Sequence, residues 1–397
     1  MFNRRIQILA AMICTGLLSS VLVGEEPSGK QVGFSSKKPS QGPTVQVEGG
    51  YLVPYTLTVP GTEISFEMIP VPGGVVNMGS PEDEPGHKDD EGPQVKVEVG
   101  PMWVAKCEVS WEEYKLFMSM YRLFKSLATQ GLRKVEGGNA VDAVTAPTEL
   151  YEPSYTFEFG QEDKLPAVTM TQYAAKQYTK WLSKLTGEQY RLPTQAEWEH
   201  ACRAGSKAAY SFGSDSSKLD EYAWFGGNSD AMPHDVGTKK PNAYGLHDMH
   251  GNVMEWTIEG YAEDGYSELA NKSQPLSILA AVHWPDSAEN RVVRGGSFQD
   301  DAELVRSASK VKSEDEEWKS EDPNVPLSPW WYTTDPARGV GFRVFRSYQP
   351  IDKEGIKKFW EIDHEYIQQD VDARVDEGRG IRTIVDEALA KDIEASK

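Results

Sequence analysis

Asn242-Ala-Tyr-Gly-Leu-His-Asp-Met-His-Gly-Asn-Val-Met-Glu-Trp256 packs acids, glycines and a tryptophan into one short, turn-rich loop. Asp248 and Glu255 offer side-chain oxygens, and Gly251 and Val253 can turn backbone carbonyls inward between them. That is the mixed oxygen shell Ca²⁺ prefers, so the expected structural calcium site is Asp248, Gly251, Val253 and Glu255. Short acids also cap turns without any ion, and the loop alone admits both readings.

Working outward, Ile64 to Gly79 alternates apolar and small residues as a strand, a turn and a strand. Met102 to Val109 reads as another strand. Ser110, with Glu113 three residues on, opens a helix as a capping box, and Tyr114, Phe117, Met118 and Tyr121 share one face of it. Thr171 caps a second helix, Gln172 to Thr186, whose Tyr173, Tyr178, Trp181 and Leu185 recur at helical spacing until Gly187 stops it. Arg191-Leu192-Pro193-Thr194 leads into a third, short helix through Trp198 and Ala201. From Ala204 to Arg346 little helix is predicted, because short aromatic-bearing segments alternate with Gly, Asn, Asp and Pro. The class is therefore α+β, an irregular β region with two or three helices. A charged helical tail follows at residues 349–397, where Ile356, Trp360, Ile367 and Val371 fall at helical spacing, and it packs on the body or on a partner.

A chain of 397 residues with 11 Trp and 17 Tyr can bury a large core, and its 24 Pro, 35 Gly and mean hydropathy of -0.53 make that core loop-rich. The formal net charge of -20 repels nucleic acid and anionic headgroups, so no nucleic-acid partner is expected. Arg4 and Arg5 precede an uncharged run from Ile6 to Gly24, the layout of a secretory signal. The run also passes the ~18-residue threshold for a spanning helix. Residues 1–24 are thus a cleaved signal peptide or an N-terminal anchor, the one membrane contact expected. Residues 25–58, rich at first in Ser, Gly, Pro and Lys, read as a flexible linker, and residues 59–348 form the folded body. The expected location is outside the cytoplasm, in the periplasm, at the cell envelope or extracellular. Beyond Cys14 in the leader, only Cys107 and Cys202 remain, either as two buried thiols or as one bridge.

The order of these segments resembles the formylglycine-generating enzyme family, also called sulfatase-modifying factor proteins. The resemblance runs through Pro72-Gly73-Gly74 to Met78-Gly79-Ser80, Cys107-Glu108-Val109-Ser110 and Pro166-Ala167-Val168. It continues through Tyr190-Arg191-Leu192-Pro193-Thr194 to Glu197-Trp198, the Asn242 to Trp256 loop, Arg294-Gly295-Gly296-Ser297-Phe298 and Gly341-Phe342-Arg343. It covers about residues 60 to 348 and implies a variant of the C-type lectin fold. It also implies a calcium site on the same four residues as the reading above.

In the oxidising members, two cysteines beyond the Gly-Gly-Ser turn bind copper as thiolates and use dioxygen to convert a substrate cysteine to formylglycine. The matching positions here are Asp300 and Val305, neither of which can replace a thiolate toward Cu(I). No catalytic residue and no copper are therefore expected, and fold likeness alone does not license the reaction. The expected role is a binding or accessory domain at the cell envelope, a pseudoenzyme of this family. A formylglycine-generating oxidase with a divergent centre and a structural envelope component are the alternatives. The expected ligand is a peptide or glycan in a cleft walled by Arg294, Ser297, Arg306, Arg343, Trp330 and Trp331, since guanidinium and aromatic groups together suit either. The bland counterpart is that the arginines pair with acids and the tryptophans plug the core.

Overall fold

A computed structural model describes residues 32–397 except 149, 151, 324 and 325. The leader expected at residues 1–24, with Cys14, and the linker up to residue 31 lie outside the described residues. Gly33–Lys397 form one contact-dense unit.

The helix signals of the sequence act as expected in the body. Ser110 accepts from the Glu113 amide and Glu113 reaches back to the Ser110 amide, starting the helix Trp111–Thr129. Thr171 caps Gln172–Thr186, and Gly187 ends it at φ 76°. Thr194 and Glu197 form a second capping box for Gln195–Arg203. The first two helices bury Tyr114, Phe117, Tyr178 and Trp181 against one another and against Phe342.

Five small sheets occur among the described residues. In the one that positions the opening loop, strand Met254–Gly260 lies between Arg291–Arg294 and Val340–Gly341. Glu255 stands opposite Arg294 on one side and Gly341 on the other. Trp256, from the same strand, is fully buried and donates its indole N–H to the Met170 carbonyl at 3.0 Å.

The class is α+β as expected, but the expected two or three helices and all-helical tail are both corrected. Ten α-helices occur among the described residues. Pro153–Phe157, Leu219–Tyr222, Ser267–Ala270 and Asp315–Trp318 span four or five residues each, too short for a 3.6-residue period to show in a window of about 11 residues. The tail holds three helices, Lys353–Trp360, Glu365–Asp376 and Leu389–Ala395, but also strand Ile381–Ile384, which pairs antiparallel with Ala143–Ala146. Ile381, Val385 and Leu389 mimic helical spacing, yet Ile381 belongs to a strand. The tail packs on the body: Val371, Leu389 and Ile393 are buried in the main core, and Arg133 bridges to Asp386 and Asp392. Four short strands occupy residues 34–58, the stretch read as linker, with Val45 and Leu52 buried. Among the described residues no helix is long and apolar enough to cross a membrane.

Candidate functional site

The opening loop folds through four residues at positive φ, Gly245 at 89°, Asp248 at 57°, Gly251 at 93° and Asn252 at 58°. Gly251 has no alternative here, since a Cβ would lie 2.1 Å from the Trp224 carbonyl oxygen. Asn242 closes the loop locally: its Oδ1 accepts from the Tyr244 and Leu246 amides, while its Nδ2 donates to the Ala201 and Cys202 carbonyls. Asn252 Nδ2 donates to Glu108 Oε1 at 3.1 Å, which ties the loop to the Cys107–Ser110 segment.

The four expected calcium ligands are not equivalent. Glu255 is filled: Arg343 donates from Nε at 3.0 and 3.2 Å and from Nη2 at 2.8 Å, and Trp198 donates from Nε1 at 2.8 Å. Burial opposes the Arg343 charge, but Glu255 and then Glu108 outweigh it and raise its pKa. Asp248 differs. Its Oδ2 accepts from the Gly237 amide at 2.6 Å, whereas Oδ1 and the nearby Glu108 Oε2 are buried without a donor from elsewhere in the protein. Burial, then Asp248, pushes the Glu108 pKa well up, and burial also raises Asp248. The two carboxyls therefore need a shared proton or a cation between them. The donor set fits a hard cation at the Asp248–Glu108 end and does not fit one at Glu255. Among the described residues no group of three or more His, Cys, Asp or Glu side chains is arranged for a metal. His247 and His250 bind separate carbonyls, those of Lys239 and Val305, each at 2.8 Å. Burial lowers the His250 pKa to about 4, so its ring is neutral.

At the Gly-Gly-Ser turn, Ser297 donates to Asp300 Oδ2 from its amide at 2.7 Å and from its hydroxyl at 2.8 Å. Asp300 thus caps its own turn. Val305 is fully buried with Ala209, Tyr210, Leu219 and Ala223, an apolar pocket that would disfavour a thiolate. Cys107 and Cys202 are both free. Burial pushes the Cys107 thiol well up and the Cys202 thiol to about 12, so neither is poised as a thiolate.

The six residues expected to wall one cleft are dispersed by the fold. Arg294 pairs with Glu199, Arg306 with Glu84 and Glu91, and Arg343 with Glu255, and all three arginines are buried. Ser297 serves the turn, and Trp330 is fully buried in the main core. Of the six, Trp331 alone lines a cavity, one of 770 Å³ between the Trp111–Thr129 helix, Glu152 to Thr156, Ser328 to Thr333 and the end of the Glu365–Asp376 helix. Tyr121, Lys125, Tyr332 and Arg374 line it with Trp331. Sequence reasoning missed Lys125 and Arg374. Arg374 lies in a charge-dense tail helix where nothing in the spacing distinguishes a buried arginine from a solvated one.

Residues 59–322 match the sulfatase-modifying factor enzyme 1-like domain. The chain is 27% identical over 268 residues to the formylglycine-generating enzyme of Thermomonospora curvata, covering 59% of this chain and 84% of that protein. It is 28% identical over 250 residues to a Mus musculus protein named inactive C-alpha-formylglycine-generating enzyme 2, covering 56% and 75% respectively. Among solved structures, PvdO from Pseudomonas aeruginosa superposes with a TM-score of 0.50 at 26% identity, over 74% of this chain and 98% of that one.

Proposed function

The chain belongs to the sulfatase-modifying factor family, and from that premise we propose that it is an exported binding or accessory domain that keeps the family scaffold without oxidising cysteine. One observation carries this reading. At the two positions where oxidising members bear thiolates, Asp300 is hydrogen-bonded into its own turn and Val305 is sealed in an apolar cluster. Cu(I) needs soft sulfur ligands, and these residues supply none. The kinship with a mouse protein named inactive supports the same reading. Neither Ser297, Asp300 nor Val305 lines the 770 Å³ cavity, whose size suits a small ligand or the end of a larger one.

The test is a competition titration in which the purified chain is offered Cu(I) held by a chromogenic chelator. The expected result is that the metal stays with the chelator. Stoichiometric transfer to the protein, lost in Cys107→Ser or Cys202→Ser, would reveal a divergent thiolate centre and overturn the reading.

Within this proposal, calcium is a structural ion drawing on Asp248 and Glu108 with nearby carbonyls, while Glu255 anchors Arg343. A chelator should lower the melting temperature of the native chain, and Asp248→Asn should remove that dependence. An unchanged melt with chelator leaves a shared proton as the only satisfier of the pair.

A further inference from the structure

Arg374 breaks a rule that the rest of the molecule keeps. Among the described residues, every other buried arginine has a carboxylate within ion-pair distance: Arg191, Arg203, Arg291, Arg294, Arg306, Arg338, Arg343 and Arg346 all do. Arg374 is 4% exposed, yet among the described residues its one hydrogen-bond partner is the Pro326 carbonyl, reached from Nη2 at 2.8 Å, and its Nε is buried without an acceptor. Burial, then the neighbouring Arg379 charge, lowers its pKa. Asp322, Glu377 and Asp370 act on it only through space. A buried guanidinium left this way is costly unless something else supplies the acceptor.

Two further donors stand on the cavity wall. Trp331 Nε1 is also buried without an acceptor. Lys125 Nζ has only the Tyr121 hydroxyl, at 3.3 Å, and the face of that ring, 5.2 Å from its centroid. Glu152 and Asp322 also line the cavity, but among the described residues the lining groups left without an acceptor are donors and cations, which favours an occupant rich in acceptors and negative. Around them stand the hydroxyls of Ser126, Thr129, Thr148 and Thr333; those of Thr129 and Thr333 already donate to the Lys125 and Trp318 carbonyls, which leaves them as acceptors for the hydroxyls of a ligand. Among the described residues none that lines the cavity belongs to a strand: the walls are helix and loop, and strand Ile381–Ile384, paired along one edge with Ala143–Ala146, is not part of them. An extended peptide would therefore find no backbone ladder to join. A polyhydroxylated acid would find both its carboxylate and its hydroxyl partners.

We infer that this cavity receives an acidic sugar, its carboxylate held by Arg374 and Lys125 and its hydroxyls by the Ser and Thr side chains of the wall. This deepens the binding-domain reading and rests on it. Because the protein carries a net charge of -20, its long-range field repels an anion while the local cations attract it at contact, and salt screens the distant repulsion more than the contact.

The experiment is calorimetric titration of the purified chain with a glucuronate-terminated oligosaccharide, its neutral glucose counterpart, an acidic tetrapeptide with blocked ends, and sulfate. The uronate should bind, and the neutral sugar at least about tenfold more weakly, the scale of one charge-assisted hydrogen bond. Arg374→Gln should weaken uronate binding by a similar factor. Lys125 is exposed, so Lys125→Gln should do the same with an unchanged melting temperature. Equal affinity for the neutral sugar, unaltered binding in both variants, binding of the peptide or sulfate alone, or no uronate binding overturns the inference. The same preparation incubated with Cu(I), oxygen and a cysteine peptide separates the two failures. No uronate binding and no aldehyde sinks the ligand class alone, whereas aldehyde formation sinks the binding-domain reading beneath it.

Discussion

The core around Arg343 and the cavity around Arg374 treat the same chemical problem in opposite ways. Arg343 is fully buried and gives its donors to Glu255 and to the Ala105 and His247 carbonyls, so the charge is closed off within the protein. Arg374 is nearly as buried and has one carbonyl. The first arrangement makes a scaffold, since removing one partner strands the other. The second leaves the charge on a cavity wall, where the proposed ligand would meet it.

Breaking the scaffold side should have the largest effect. Arg343→Ala leaves Glu255 and Glu108 buried without their cation and should destabilise the fold by about 3–5 kcal/mol in urea denaturation. A loss below about 1 kcal/mol would show that the ion pair is not what holds this core. Gly251→Ala should come next, at more than about 1 kcal/mol, because the new Cβ meets both a left-handed backbone and the Trp224 carbonyl. Arg374→Met should lie near neutral in the ligand-free chain, within about 1 kcal/mol, because no buried carboxylate is stranded. A large loss there would place Arg374 in the scaffold and erase the contrast.

The fold was legible in the sequence wherever signals are local and the elements long. Ser110 with Glu113, Thr171 with Gly187, and Thr194 with Glu197 announced their helices, and the segment order announced the family. One-turn helices such as Leu219–Tyr222 carry no readable period, and strand Ile381–Ile384 hides inside a helical spacing. The site was less legible. The oxygen-rich loop was found, but that Glu255 belongs to Arg343 depends on residues 88 apart, and Glu108 enters from another segment 140 positions upstream of Asp248. The arginines and tryptophans proposed as cleft walls have the right chemistry for a cleft and for a core. Only packing decides, and it sent Arg294, Arg306, Arg343 and Trp330 inward and left Trp331 on a cavity.

A smaller effect sharpens the contrast through pH. Burial lifts both Glu113 and Glu259 from 4.5 to about 7. Both folded values lie above the unfolded ones, so the native chain holds extra protons between them, and stability falls as pH rises from about 4.5 through 7. In Glu259→Gln one of those protons is removed from the balance, and the slope of stability against pH across that window should become shallower. An identical slope would mean that Glu259 is charged when folded.

The central claim is that the family scaffold persists here without the family's chemistry. Its most direct test incubates the full chain with Cu(I), oxygen and a cysteine-bearing sulfatase peptide beside the Thermomonospora curvata enzyme, and follows the peptide mass. The account predicts aldehyde with that enzyme and an unmodified cysteine with this chain; aldehyde formed at a comparable rate by this chain would contradict it.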